Sequence, residues 1–97
     1  MKTDTHAALL AELPGEFEPE WISMRGVHAP VYIELAAWKR VRAWCQSQGL
    51  MMHVDDDDDQ PSIYCGPASE PRMLGTGPDD ATALLAACRW INEQEKR

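Results

Sequence analysis

Long apolar runs are missing from this chain. Nowhere do roughly 18 consecutive apolar residues occur, the length a helix needs to cross a bilayer. The N-terminal stretch MKTDTHAALLAELPGE has one Lys, a short apolar segment and an early Asp4. It lacks the longer apolar region and small-residue cleavage site of a secretory signal, so a cytoplasmic protein is expected. Bases are also scarce, 9 Lys and Arg against 16 acids, for a formal net charge of −7. Affinity for nucleic acid rests mostly on Lys and Arg contacts to phosphate, and anionic membranes repel a net acid. Direct nucleic-acid or membrane binding is therefore not expected.

Cysteine is sparse and wrongly spaced for zinc. Cys45, Cys65 and Cys88 are an odd number without a C-x-x-C pair, so a zinc ribbon fails for lack of ligands. They read as reduced core thiols behaving as small hydrophobes. The catalytic signatures are absent too: there is no G-x-S-x-G, no nucleotide-binding glycine loop and no paired catalytic-acid motif. No catalytic residue, metal or cofactor is assigned, and an enzyme is not expected. No internal repeat occurs.

What is present is amphipathic pattern. The 97 residues suffice for one domain with one core. Residues 4–13, DTHAALLAEL, predict a short helix stopped by Pro14-Gly15. An irregular arm follows, which Phe17, Trp21 and Ile22 are expected to pin to the body. PVYIELAAWKRVRAWCQSQG, residues 30–49, predicts a long helix with Pro30 at its first position and Gly49 as its left-handed cap. Its buried stripe is expected to be Val31, Leu35, Trp38, Val41 or Arg42, and Cys45, widened by Ile33, Ala37 and Trp44. Lys39, Arg40 and Arg42 on its C-terminal half suit the helix dipole and salt bridges. Strands are expected at Leu50–Val54, Ser62–Cys65 and Arg72–Leu74, with turns at Gly66-Pro67 and Glu70-Pro71.

The last helix should be capped by Thr76 or Gly77 and begin at Pro78, with Asp79 and Asp80 in its first turn. Ala81, Leu84, Leu85, Cys88 and Ile91 form one face, and Lys96 and Arg97 close it. These elements imply a single α+β domain over residues 1–97. Residues 1–29 form an N-terminal helix and arm. Residues 30–97 form a body in which a small antiparallel sheet of about three strands packs with two long amphipathic helices.

The stretch HVDDDDDQP, residues 53–61, breaks the strand pattern. Successive strand residues point to opposite faces, so five aspartates in a row cannot belong to a half-buried strand. Asp55, Asp56, Asp57, Asp58 and Asp59 are expected at a hairpin tip, as a solvated loop or an acidic contact surface. As a calcium loop the run is poor, because Gln60 stands where the glycine should be and Gly66 where the closing glutamate should be. His53 beside it is a candidate ligand or ion-pair partner. Trp44, at the flank of the helical stripe, is a candidate interface anchor.

The segment GTGPDDATALLAACRWI, residues 75–91, resembles the strand end and helix of small phage proteins of the "phage ABA sandwich" family. It is also similar to the end of some small anti-CRISPR proteins and, more loosely, to Hic-type antitoxins. The resemblance covers about 20 of the 97 residues. The aspartate run departs from the family pattern, and no catalytic residues carry over. It implies a phage or prophage accessory protein in the host cytoplasm. The function expected is a non-catalytic protein-binding module that inhibits a bacterial defence complex. It would use an acidic surface, Asp55–Asp59 with Trp44, against a basic partner such as a nucleic-acid-binding complex. The alternatives are an immunity protein or antitoxin, or a phage structural or regulatory protein.

Overall fold

The computed structural model describes residues 2–13, 26–55, 60–67 and 69–96. The elements in chain order are α1 (Lys2–Glu12), a short 3-10 turn (Gly26–His28), α2 (Ala29–Ser47), β1 (Met52–Asp55), β2 (Ser62–Cys65), β3 (Arg72–Thr76) and α3 (Asp80–Glu95). The α+β class and the order of elements match the sequence reading. The arm carrying Phe17, Trp21 and Ile22 lies outside the described residues.

α3 organises the rest. Ala81, Ala83, Leu84, Ala87, Cys88 and Ile91 are buried along it, and it meets β3, β2, α1 and α2. Leu85, expected on the buried face, is only partly buried at its flank. Asp79 caps the helix in place of Thr76 or Gly77, its carboxylate accepting from the Thr82 amide at 2.8 Å and the Thr82 hydroxyl at 2.7 Å. Its extended backbone, φ −145° and ψ 171°, is the usual capping conformation. Pro78 therefore precedes the cap and does not begin the helix.

The sheet is an antiparallel meander in the order β1-β2-β3. Ile63 and Cys65 point inward onto the helices, so their partners Val54 and Met52 share that face. An irregularity between Ile63 and Tyr64 leaves Leu74 as the extra residue of β3. It bends β3 so that consecutive Leu74 and Gly75 are both buried. At Gly75 the α3 backbone lies directly on the strand, where a Cβ would sit on the Ala83 carbonyl oxygen and 2.6 Å from the Ala87 nitrogen.

α2 ends as the glycine predicts. Gly49 has φ +72°, its amide donates to the Gln46 carbonyl, and the Leu50 amide donates back to the Cys45 carbonyl at 2.9 Å. This paired pattern closes the helix and folds Leu50 onto the core. The chain then runs back along α2 as β1.

The phase of α2 corrects the expected stripe. Ile33, Ala36, Ala37, Val41 and Cys45 are the buried residues, whereas Val31 is 55% and Leu35 50% exposed. Small Ala36 and Ala37 allow α2 to approach its neighbours closely, and the larger Val31 and Leu35 are rotated outward. Of the bases, Arg40 bridges to α3. Its guanidinium binds both oxygens of Glu95, at 3.1 and 2.6 Å, and the Asn92 side chain at 3.0 Å. Asn92 in turn donates to the Glu12 carbonyl and carboxylate, tying in the end of α1.

Candidate interaction surface

The outward rotation of Val31 and Leu35 opens a groove between α2 and β1. Leu35 and Trp38 form its helical wall, and Met52 and Val54 form its strand wall. The groove has a volume of about 510 Å³. Val54 is 50% exposed, and Met51 at the start of the strand is 70% exposed. Because β1 runs back along α2, Lys39 and Arg42 border the Met52 end. Asp80 borders the Val54 end, which the ladder places beside the start of α3. The floor is apolar and the two ends carry opposite charge.

Four acidic residues, Asp55, Asp79, Asp80 and Glu34, lie toward one end of the sheet. Asp55 closes β1 opposite Ser62, and Ser62 is opposite Thr76, to whose hydroxyl it hydrogen bonds at 2.9 Å. The Gly77 amide donates to the Pro61 carbonyl, which brings the turn after β3 to the hairpin end. Asp79 and Asp80 follow at once. They share a small cavity of about 210 Å³ with Glu34 and His6, where the His6 ring lies 3.1 Å from the Glu34 carboxylate. Of the aspartate run, Asp55 is exposed on the outer face of the sheet, and Asp56, Asp57, Asp58 and Asp59 lie outside the described residues.

Trp44 is at the other end. Its ring meets Trp90 edge to face, with centroids 5.1 Å apart and planes at 87°, and the Arg72 guanidinium stands 5.9 Å over Trp90. Such aromatic pairs favour this geometry and contribute about 0.5–1.5 kcal/mol beyond burial. Trp44 thus packs at the rim of the core, in a cleft of about 460 Å³ shared with Leu50, Gln94 and Glu95. The structure does not bring Trp44 and Asp55 together.

Comparison with protein-family models, with curated proteins and with solved structures found no match. The surface has to be judged on its chemistry.

Cys45, Cys65 and Cys88 are all buried. Burial, and then the neighbouring Cys65 thiol, push Cys45 up to about 12. Burial pushes Cys88 up to about 11 against the lowering influence of Arg40. Thiols held protonated in apolar surroundings are poor nucleophiles and poor metal ligands. His53 lies on the outer face with its ring 3.1 Å from the Gly66 carbonyl, near Asp55 and Tyr64. Among the described residues no group of three or more His, Cys, Asp or Glu is arranged to hold a metal ion. Nor, among them, is any helix long and apolar enough to cross a membrane.

Sequence reasoning missed Val31, Leu35 and Val54 as exposed residues, and Met52 as part of the groove wall. The available signal was the excess of apolar positions on α2, more than one buried stripe can use.

Proposed function

We propose that the protein is a non-catalytic protein-binding module that presents its acidic end to a partner with a basic surface. The observation that supports this most directly is that Asp55 lies toward the same end of the sheet as Asp80, Asp79 at the α3 cap and Glu34 beside His6, next to an exposed apolar groove. Interfaces combine an apolar centre with charged surroundings that steer approach. The resemblance of residues 75–91 to phage accessory proteins supports a narrower reading, an inhibitor of a bacterial defence complex whose basic nucleic-acid channel the acidic end occupies.

The test uses immobilised protein to capture its partner from a bacterial lysate, followed by binding kinetics with the identified partner at two salt concentrations. Replacing Asp55, Asp57 and Asp59 by Asn is expected to slow association and weaken its salt dependence, with less effect on dissociation. Wild-type association rates in that variant refute the acidic-surface reading. Capture of a single toxin in place of a nucleic-acid-binding complex replaces the defence inhibitor with an immunity protein.

A further inference from the structure

We propose that the protein pairs with a second copy of itself along the edge of β1 that faces away from β2. The sheet order leaves β1 with one strand neighbour among the described residues, β2. The Gly66 amide donates to the Met51 carbonyl at 3.0 Å, and the register continues through Met52↔Cys65 to Asp55↔Ser62. In an antiparallel ladder, hydrogen-bonded and non-hydrogen-bonded pairs alternate. Met51/Gly66, His53/Tyr64 and Asp55/Ser62 are therefore the pairs that exchange hydrogen bonds. Met52 and Val54 turn their N–H and C=O groups away from β2.

An edge of this kind is a template for another strand, which proteins usually blunt with charged side chains, Pro or a cover; the charged residue here is Asp55, at the end of the strand. Met52–Asp55 contains neither Lys nor Pro. The exposed apolar stripe of α2, Val31 and Leu35, continues the same surface across the groove.

A second copy supplies the partner that no described strand gives this edge. Antiparallel pairing about a two-fold axis at His53 sets Met52 opposite the second copy's Val54, and Val54 opposite its Met52. Every outward main-chain group of those two residues is then bonded. The same two-fold turns the groove end for end, so the second copy's Asp80 approaches the end bordered by Lys39 and Arg42, and the reverse. Self-complementarity of this sort is what a two-fold interface requires. The α2 stripes meet over the seam, and the two three-stranded sheets become one of six strands. This inference does not rest on the acidic-surface reading, and its test needs no other partner.

The experiment is sedimentation equilibrium on the full chain through the micromolar range, with the mass of two 10.9 kDa chains expected. A monomer throughout overturns the proposal and leaves the groove to another protein. His53→Cys tests the register. Cα atoms in a non-hydrogen-bonded pair are about 4.5 Å apart, inside the disulfide range of about 4.4–6.8 Å. Mild oxidation should therefore crosslink this variant. Met73→Cys, exposed on the same sheet face but on β3, should stay uncrosslinked. Equal crosslinking of the two variants, or none at position 53, overturns the register. Val54→Pro removes an N–H that β2 does not use, so the fold should keep its circular dichroism and the dimer should be lost. A folded Val54→Pro variant that remains dimeric refutes pairing through β1. If Val54→Pro unfolds, the cysteine pair alone decides.

Discussion

Replacing Gly75 by Ala sets two effects of opposite sign against each other. In a strand position without strain, Gly→Ala stabilises by about 0.4–1 kcal/mol, because the unfolded chain loses freedom. At Gly75 the new methyl group would land on the Ala83 carbonyl oxygen, 2.6 Å from the Ala87 nitrogen and 3.1 Å from the Ala86 Cβ. Two of these atoms belong to the backbone in the middle of α3, so no side-chain rotation relieves the contact. The helix has to lift off β3, loosening Leu74, Ala83, Leu84 and Ala87, all buried. Overpacking of this kind costs about 1–3 kcal/mol. The upper half of that range applies because the obstruction is backbone, and it outweighs the entropic gain. A net loss of about 1–2.6 kcal/mol is expected, a fall in Tm of roughly 4–21 °C for a domain of this size. Thermal unfolding followed by circular dichroism reads it directly. An unchanged or higher Tm would show that α3 does not rest on β3 at Gly75, and the assignment of the central helix would fall with it.

Three further outcomes follow from the same contacts. Leu84→Ala should cost about 2–5 kcal/mol in urea unfolding, and Leu85→Ala clearly less, since Leu84 is fully buried and Leu85 partly so; equal losses would mean the helix is rotated. With Cys45 up near 12 and Cys88 near 11, their thiolate fractions at about pH 8 are only about 10⁻⁴ and 10⁻³. A thiol reagent should therefore label Cys45 and Cys88 only after denaturant is added, and rapid native labelling of either, located by peptide mapping, would refute their burial. The hydrogen bonds from Arg40 hold the Glu95 carboxyl below the ordinary carboxylate range. Its folded value thus lies under its unfolded one, and its contribution is present above the unfolded value and lost as pH falls through the folded value. Glu95→Gln should lower stability slightly near neutrality and converge with wild type in acid, and a gap that widens in acid would contradict the pairing.

Much of the fold is legible because several signals agree. In α3, an acidic start and apolar residues at Ala81, Leu84, Cys88 and Ile91 fix one face, and the structure departs in burying Ala83 and Ala87 as well, placing Leu85 at the flank and putting the cap at Asp79, after Pro78. In α2 the signals compete. Val31, Ile33, Leu35, Ala37, Trp38, Val41 and Trp44 surround most of the helix, so the 3–4 spacing fits more than one phase. Weighting by size selects Val31 and Leu35, but close packing selects Ala36 and Ala37. Gly75 has a similar history: Gly-Thr-Gly reads as a turn before a helix, and nothing in it tells that a helix will return to lie on the first glycine. The acidic end was only partly readable. The run beginning at Asp55 is plain in the sequence, but the company of Asp55 with Asp79, Asp80 and Glu34 depends on strand register. Trp44 was singled out for its type, and its partner Trp90 comes from the other end of the chain.

Among the described residues α3 packs on α1, α2, β2 and β3, and it is the last element to be made. At roughly 5–20 residues per second, about 5–19 s separate the emergence of Lys2 from that of Glu95. Through that interval α1, α2 and the β1–β2 hairpin exist without the surface that covers them, and the Arg40 and Glu12 side chains wait for Glu95 and Asn92. A cell making the protein carries a population of half-made chains with apolar faces open to water, and whatever holds those chains apart determines how much of the finished protein appears.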